Sequence, residues 1–364
     1  MTTVIQTIVI LGGARDFHAM DWYRTVRRVC PTREVIFITD LFGGEGYTDL
    51  SKPGDKIYPL VVIDNFLFSG QSRYANIWRN LVKLALLPVQ AIRLRRILEK
   101  YPHRIVHAHP MYYMALCLLA RVEYIGTPQG GEILIRPLRS RIYRFFAEKV
   151  LKSARALIVD SQQMKDGIKS IAGVNADVFQ NGINVDEIVR HRTHNKRQRV
   201  VSIRGIEELY RIYEIVEIRN RITLSTPLTF IYPFADAAYL AGLRPLFGVH
   251  DQDLGRLQKD EMYGLLSESL LVISIPRSDS SPRSVYESIF AGACVAVTYN
   301  KWIDVLPPCM KLRVFVVDLA DGQWLRQAIS YAQKIVDTPF IASEEALELY
   351  DENRSIGKVI EKFY

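Results

Sequence analysis

The segment 274–300 constrains the fold more than any other part of this 364-residue chain. An apolar run, LLVISIP, ends at Pro276, and a polar loop then leads to Pro282, which fits the first turn of a helix, with Ser281 as the candidate N-cap. Gly292 ends that helix, and the β-branched run CVAVTY after it predicts a strand buried on both faces. The segment therefore predicts a strand, a helix and a second strand of a parallel sheet.

Strands and helices alternate in the same way through both halves of the chain. This order predicts an α/β protein with parallel sheets, and 364 residues are long for a single core. Residues 186–199, DEIVRHRTHNKRQR, are polar and charged without an apolar period, which predicts a linker between two domains. We expect an N-terminal domain over 1–186, a second domain over 187–340 and a C-terminal helix over 341–364.

The charge and the cysteines of the chain narrow the classes of function. A formal charge of +8 at pH 7 indicates an anionic partner, either nucleic acid, a phosphorylated substrate or a membrane surface. Nucleic acid is the least favoured of these, because aromatic residues are not interleaved with the basic ones. The four cysteines have no C-x-x-C or metal-ligand spacing, which fits a reducing cytosol and no metal site. The N-terminus lacks a basic n-region, and no apolar run reaches about eighteen residues, so we expect a cytoplasmic protein without a signal peptide.

A basic helical segment that also carries apolar residues is predicted over 73–101. Trp78 and several leucines lie beside arginines and lysines in this segment, a combination typical of a helix on a membrane surface. The alternative is a helix that packs on the core and exposes a charged face. Pro88 lies inside the segment and predicts a kink or a break. Both interpretations stay open, and an anionic membrane surface is included among the expected partners.

Two carboxylates of the segment 274–300 indicate a sugar nucleotide. Asp279 lies in the loop before the helix and Glu287 lies eight positions later, so both are expected to face the same end of the sheet. A helix N-terminus beside the carboxyl ends of parallel strands favours a phosphate, and nearby carboxylates accept hydrogen bonds from sugar hydroxyls. An ordinary helix with a solvated Glu287 is the alternative.

The turn after the first strand is a second candidate binding region. Gly12 and Gly13 follow that strand, where glycine lets the backbone approach a ligand closely, although a plain βα turn explains them equally well. Asp16 and His18 lie near the same opening and are candidates for an acceptor site.

Two histidines end the strand RIVHAHP. His107 and His109 occupy alternate positions and therefore share one face of the strand. Two histidines without a third ligand make a poor metal site, and either residue can equally be a hydrogen-bonded structural histidine.

Five segments resemble, in order, those of the family 4 glycosyltransferases of the GT-B fold. They are QGGE at 129–132, VDS at 159–161, NGIN at 181–184, Arg204, and the block in which seven residues separate Asp279 from Glu287 and FAGACVAV follows. The resemblance implies two Rossmann-like doubly wound domains that face a central cleft. The first would bind the acceptor, the second would bind a nucleotide-sugar donor, and the C-terminal helix would cross back to the first domain.

The resemblance also assigns roles in the second domain. Arg204 corresponds to the arginine that holds the donor pyrophosphate, and Arg211 is the cation nearest to the place of the family's lysine, where this chain has Leu209 and Tyr210. Arginine binds phosphate through two parallel hydrogen bonds, so Arg211 is expected to substitute. Asp279, which replaces the family's Glu, would contact the donor sugar. The other donor-binding candidates are Glu287, Ser281, Pro282, Arg283 and Ser284, with Gly12 and Gly13 of the first domain.

In the first domain the resemblance makes His109 a catalytic candidate, because the family's strand of this form borders the active cleft. QGGE stands where the family has a strand followed by His-Gly or by Gly-Ser-Asp, and Gln129 takes the place of the usual histidine. The acceptor-side candidates are Asp16, His18, Gln129, Gly130 and Glu132.

The resemblance implies a retaining glycosyltransferase of the bacterial polysaccharide or glycolipid type, acting on a hydroxyl of a glycan or lipid-linked acceptor. The implied front-face mechanism uses the leaving phosphate as base and needs neither a covalent nucleophile, a metal nor another cofactor. A peripheral location on the inner face of the membrane is left open. The alternative is a GT-B-like binding or scaffold subunit that is catalytically weak or inactive.

Overall fold

The structure is a computed structural model that describes residues 6–14, 16–40, 53–60, 75–193, 197–222 and 226–364. The chain divides into two compact units, one formed by residues up to Asn181 together with Ser355–Tyr364, the other by Gly182–Arg354. The boundaries between the two units therefore fall at 181/182 and 354/355, whereas the sequence analysis placed the domain boundaries at 186/187 and 340/341. The difference arises because the helices Val185–Arg190 and Glu344–Tyr350 both contribute to the core of the second unit.

The first unit contains a seven-stranded sheet in which every described pair of strands is parallel. Its strands are β1 (Thr7–Leu11), β2 (Val35–Thr39), β3 (Ile57–Pro59), β4 (Arg104–Ala108), β5 (Ile125–Gly126), β6 (Ala156–Val159) and β7 (Asp177–Val178). Their order across the sheet is β3-β2-β1-β4-β5-β6-β7, so the chain reverses its direction of winding between β1 and β4. This is the order of a doubly wound sheet.

Helices cover both faces of the first sheet. The helices of this unit are Phe17–Val29, Ala75–Leu98, Met111–Leu119, Gly130–Leu134, Arg136–Arg139, Arg141–Lys152 and Gln162–Ala172. The first of them shares one core with Ile8 and Ile10 of β1, and the end of the C-terminal helix Glu352–Phe363 joins that core. The four longer helices that follow share a second core with Val9 and Leu11, on the opposite face.

The second unit repeats this architecture with a six-stranded parallel sheet. Its strands are β8 (Arg199–Ser202), β9 (Leu228–Ile231), β10 (Gln252–Gly255), β11 (Ser269–Ser274), β12 (Cys294–Thr298) and β13 (Val314–Val317). The order is β10-β9-β8-β11-β12-β13, so winding reverses between β8 and β11. The α-helices are Val185–Arg190, Ile212–Arg221, Ala237–Leu243, Lys259–Ser267, Arg283–Phe290, Pro308–Lys311, Trp324–Ile335 and Glu344–Tyr350, with 3₁₀ turns at Glu208–Tyr210, Arg244–Leu246 and Lys301–Ile303.

The predicted fold class, α/β with two Rossmann-like doubly wound domains, is confirmed by these two sheets. The segment 274–300 forms the end of β11, a loop, the helix Arg283–Phe290 and β12, and Gly292 ends the helix with a φ of 96°. Ser281 is not the N-cap. Pro282 takes that position, because its backbone still lies outside the helical region, at φ −81° and ψ 82°.

The predicted basic helix begins at Ala75 among the described residues and runs without a break through Pro88 to Leu98. Residues spaced along one face, from Leu87 to Leu98, are buried in the core, as the core-packing interpretation required. The start of the helical segment predicted from 73 lies outside the described residues. In the described part of the chain, no helix is both long and apolar enough to span a membrane.

A buried ion pair fixes one edge of the second sheet. Both guanidinium nitrogens of Arg219 lie 2.6 Å from the carboxylate oxygens of Asp251, which also accepts hydrogen bonds from the backbone N–H groups of Leu228 and Gly248. Burial alone would raise the pKa of Asp251, but these hydrogen bonds outweigh it and hold the pKa below its usual value.

We expect Asp251→Asn to lower the free energy of unfolding by about 3–5 kcal/mol, because it leaves the buried Arg219 charge unpaired. The stabilisation from Asp251 is complete above the unfolded pKa of about 3.9 and is lost as pH falls through the lower folded pKa. Urea unfolding at several pH values measures both effects. Glu217→Gln, which removes the exposed Arg221–Glu217 pair, is the control and should cost about 0.5 kcal/mol or less. Equal losses in the two variants would contradict the prediction.

Candidate active site

The strongest candidate site lies where the second sheet reverses its winding. β8 ends at Ser202 and the neighbouring β11 ends at Ser274, so both strands open at the same edge of the sheet. Arg204 follows the first strand and Asp279 follows the second. In open parallel sheets, ligands bind in the crevice outside the carboxyl ends of the strands at such a switch point.

Arg204 and Asp279 form an ion pair between the guanidinium Nη2 and the carboxylate Oδ2. The Nε of Arg204 also donates to the Ser274 hydroxyl at 2.7 Å, and the side-chain amide of Asn300 donates to the Asp279 carbonyl at 2.7 Å. The two charged side chains are only 14% and 17% exposed. Both catalytic candidates are therefore held in place by β11 and by the loop after β12.

A cleft of about 220 Å³ opens above this pair. Three arginines line it, namely Arg204, Arg211 and Arg277, together with Asp279 and Pro282 of the predicted donor set. Its other lining residues are Ser274, Pro276, Val297, Thr298, Tyr299, Asn300 and Trp302. Among the described residues, the lining does not include Ser281, Arg283, Ser284 or Glu287. The arrangement concentrates positive charge beside one carboxylate, which suits a polyanion that carries hydroxyl groups.

Arg277 and the residues after β12 were missed by sequence reasoning. Arg277 forms an ion pair with Glu208 at 2.9 Å, and its backbone N–H donates to the Leu209 carbonyl, so it links the loops after β8 and β11. Thr298, at the end of β12, donates its hydroxyl to the Pro276 carbonyl at 3.4 Å. Strand order was the missing signal, since it places the end of β12 beside the end of β11.

Arg211 has an unusual backbone conformation. It lies in the left-handed region at φ 55° and ψ 41°, between the turn Glu208–Tyr210 and the helix Ile212–Arg221. This region costs a non-glycine residue of the order of 1 kcal/mol and is enriched at functional sites. Its guanidinium lies 3.5 Å from the Ile275 carbonyl at the edge of the cleft. The structure thus brings Arg211 and Arg204 to one cleft.

Glu287 and Arg283 lie deeper on the helix Arg283–Phe290. Glu287 is buried, accepts a hydrogen bond from the Tyr263 hydroxyl at 3.2 Å and lies 3.6 Å from the Nε of Arg283. Arg283 also contacts Glu352 at 3.4 Å. Glu287 is therefore not solvated, which contradicts the alternative interpretation of this helix. Ser284 has a buried hydroxyl without a hydrogen-bond partner among the described residues.

The carboxyl end of the same helix is capped by cations. Three guanidinium groups donate to its last carbonyls, where positive charge is favourable. The pairs are Arg192 with Phe290, Arg197 with Ala291 and Arg313 with Gly292. Burial, and then the neighbouring Arg313 and Arg192, lower the pKa of Arg197 to about 10. These contacts fix the helix that borders the cleft.

In the first unit, the turn after β1 adjoins the loop before the helix Gly130–Leu134. Asp16 accepts hydrogen bonds from the His18 backbone at 3.0 Å and from the Gln129 side chain at 3.0 Å. A Cβ at Gly12 would lie 2.7 Å from the Cβ of Ala19, so packing explains this glycine. A Cβ at Gly13 would lie no closer than 3.8 Å to another side chain, so packing does not explain this glycine.

Glu132 has a structural function in this region. Its carboxylate accepts hydrogen bonds from the backbone N–H groups of Met111 and Gln129, both at 3.0 Å, which closes the start of the helix that begins at Gly130. Burial raises the pKa of Glu132 in spite of these hydrogen bonds. Glu132 therefore connects Gln129 to the segment that follows His109.

The two histidines at the end of β4 differ in their partners. His107 contacts the hydroxyls of Thr127, at 2.8 Å, and Tyr364. The Nε2 of the buried His109 has no hydrogen-bond partner among the described residues. The pKa of His109 falls to about 3, because of burial and then the nearby His18. His109 is therefore neutral near pH 7, and its Nε2 is a buried ring nitrogen.

Metal binding has no support in the described part of the chain, where no cluster of three or more His, Cys, Asp or Glu side chains could hold an ion. The roles of the individual candidates in both units stay predictions, since geometry alone does not test them.

Part of the chain matches a known protein family. The model of "Glycosyltransferase Family 4" matches residues 64–187, which include QGGE, VDS and NGIN. We found no match among curated protein sequences. The match confirms the predicted resemblance to family 4 glycosyltransferases and the predicted enzyme class.

Solved structures show the fold over almost the whole chain. HepE of Anabaena in complex with UDP is 13% identical with a TM-score of 0.72, and the alignment covers 98% of this chain and 100% of that one. Sucrose-phosphate synthase of Thermosynechococcus elongatus is 11% identical, with a TM-score of 0.72 and coverage of 98% of both chains. TarM of S. aureus is 8% identical, with a TM-score of 0.72 and coverage of 99% and 100%. The predicted GT-B fold is confirmed.

Proposed function

We propose that this GT-B protein is a retaining glycosyltransferase that transfers a sugar from a nucleotide-diphosphate-sugar to a hydroxyl of a glycan or lipid-linked acceptor. The observation that carries the proposal is the convergence of Arg204, Arg211 and Arg277 with Asp279 at the switch point of the second sheet. We further propose a cytoplasmic, peripheral location on the membrane.

The arginines suit a leaving pyrophosphate. Each guanidinium can form two parallel hydrogen bonds with phosphate oxygens, and negative charge grows on the pyrophosphate as the bond to the sugar breaks. Preorganised cations lower the energy of such a transition state most when water is excluded, and Arg204 is largely buried. In this proposal Arg204 and Arg211 bind the pyrophosphate, and Arg277 adds charge at the rim.

Asp279 would act at two stages. Without a donor, its carboxylate neutralises Arg204. When the pyrophosphate binds, the guanidinium exchanges the carboxylate for phosphate oxygens, and Asp279 becomes available to accept a hydrogen bond from a hydroxyl of the donor sugar. Glu287 would bind the ribose hydroxyls, and Ser281, Pro282, Arg283 and Ser284 would surround the phosphate end of the helix, where Pro282 has no N–H to donate.

The first unit would receive the acceptor. His109 is neutral near pH 7, so it would orient a hydroxyl through its free Nε2 and would not contribute a positive charge. The pair of Asp16 and Gln129, with His18 beside it, offers hydrogen-bonding groups of both kinds. In a front-face mechanism the leaving phosphate accepts the proton of the acceptor hydroxyl, so no protein nucleophile is required.

Donor transfer by the purified protein tests the proposal. Because the related HepE structures contain UDP and UDP-glucose, UDP-sugars come first in a panel with GDP- and ADP-sugars. We expect nucleotide binding by calorimetry, release of the nucleoside diphosphate, and a product whose anomeric configuration, read by NMR, is that of the donor. Nucleotide binding without turnover would indicate the inactive binding subunit instead. The absence of both nucleotide binding and turnover would refute the donor site. A product of inverted anomeric configuration would refute retention.

Asp279→Asn separates the two stages proposed for this residue. The variant should bind UDP without a sugar about fivefold more tightly, because the carboxylate that competes for Arg204 is gone. Sugar transfer should fall by about 10- to 100-fold, since a charge-assisted hydrogen bond to the sugar is lost. Calorimetry and initial rates measure the two effects. Asp260→Asn is the control, because it neutralises an exposed carboxylate that does not line the cleft and should leave UDP affinity near that of the wild type. Weaker UDP binding by Asp279→Asn would contradict the exchange.

Arg211→Gly tests whether the strained arginine binds the donor. We expect UDP affinity to fall by about 10- to 100-fold, while the free energy of unfolding stays equal or rises by about 1 kcal/mol as the strain is relieved. Arg121 also has a left-handed backbone, at φ 52°, and does not line the cleft. Arg121→Gly should therefore change stability in the same direction and leave UDP affinity unchanged. Equal UDP affinity in both variants would exclude Arg211 from the donor site.

A further inference from the structure

The helix Arg141–Lys152 of the first unit has two apolar stripes and not one. Ala147, Val150 and Leu151 are buried in the core of the unit, which is the usual function of such a stripe. A second stripe follows from Ile142, Phe145 and Phe146, whose i, i+3, i+4 spacing places them together on another face.

The second stripe is open to solvent. Ile142 is 85% exposed, Phe145 is 59% exposed and Phe146 is 40% exposed, and Leu138 of the preceding helix Arg136–Arg139 is 80% exposed. Single exposed apolar residues are normal, but a group of large ones in adjoining turns marks a docking surface. We call these four residues the apolar stripe.

Cations surround the apolar stripe. The segment 136–152 contains six arginines and lysines and one carboxylate, Glu148, which is paired with Lys152 at 2.6 Å. The side chains of Arg139 and Arg141 have neither a hydrogen bond nor an ion pair among the described residues. The Nζ of Lys149 lies 4.4 Å from the centre of the Phe145 ring. Long cationic side chains beside exposed apolar rings can reach anionic groups while the rings enter an apolar medium.

We propose that this face docks on an anionic lipid surface, with the apolar stripe at the boundary between headgroups and acyl chains and the cations among the headgroups. The inference rests on the peripheral location proposed above and assigns it to residues outside the 73–101 segment. A second copy fits less well, because a two-fold contact through this face would bring six cations of each chain together. An amphipathic lipid surface complements both the charge and the apolarity.

Neighbouring helices extend the same face. The helix Met111–Leu119 packs between Arg141–Lys152 and Ala75–Leu98, and all three cover one side of the first sheet. Their outward residues include Leu119, Leu84 and Ile92, all more than half exposed. The docking surface would therefore be a layer of helices and not a single one.

Flotation of the full chain with lipid vesicles tests the inference. We expect binding to phosphatidylcholine vesicles that contain about one third phosphatidylglycerol, little binding to phosphatidylcholine alone, and release at about 1 M salt. The double variants Phe145→Ser/Phe146→Ser and Arg139→Glu/Arg141→Glu should each weaken binding at least about tenfold. Val249→Ser and Lys334→Glu, exposed positions of the second unit, are the apolar and charged controls and should bind like the wild type.

Four readouts decide the outcome. Circular dichroism and UDP calorimetry of each variant should match the wild type, which separates this inference from the donor site. Vesicle binding that the stripe variants leave unchanged, or equal binding to neutral vesicles, would overturn it. A dimer in sedimentation that the Phe145→Ser/Phe146→Ser variant dissociates would assign the face to a second copy and overturn it as well.

Discussion

The ion pair of Arg204 and Asp279 is the interaction on which the candidate site depends. It joins the loops after β8 and β11 at the point where the second sheet reverses its winding, and it does so largely out of contact with water. Further hydrogen bonds hold both residues in the partly buried cleft, since the Nε of Arg204 donates to the Ser274 hydroxyl and the backbone carbonyl of Asp279 accepts from the Asn300 side chain. In the proposed function, this pair would favour a ligand with phosphate charge, because phosphate oxygens can replace the carboxylate at the guanidinium.

The helix Arg283–Phe290 extends this constraint to the rest of the unit. Its start lies beside the cleft, its carboxyl end is held by three arginines, and Arg283 connects it to Glu352, which begins the last helix. These contacts run between segments that are far apart in sequence. A change at either end of the helix would therefore shift Asp279 and Pro282 relative to Arg204, even where the substituted residue does not touch a ligand.

Sequence reasoning succeeded where the signal is local and failed where it depends on strand order. Alternating strands and helices and the glycine stop at Gly292 are visible within short segments, and they predicted the doubly wound fold. Of the two spaced carboxylates, Asp279 lines the cleft and Glu287 does not. Arg277 and Asn300 became recognisable only when β12 was seen beside β11. The left-handed backbone of Arg211 has no sequence signature, because any residue type other than glycine argues against it. The position of Pro282 as the N-cap depends on its ψ angle of 82°, and a proline ring restricts φ but does not determine ψ.

The net charge of +8 indicated an anionic partner without locating it, and the structure separates two kinds of cation. Around the cleft, Arg204 and Arg277 are each paired with a carboxylate, so a ligand would compete with that partner for the guanidinium. On the helices Arg136–Arg139 and Arg141–Lys152, the side chains of Arg139 and Arg141 have no such partner among the described residues, and both helices carry exposed apolar residues. Salt screens exposed charges more strongly than buried ones. In the two proposals above, the attraction of the exposed cations to an anionic surface would therefore be the more sensitive to salt, whereas the cleft would select its ligand by exchange at short range.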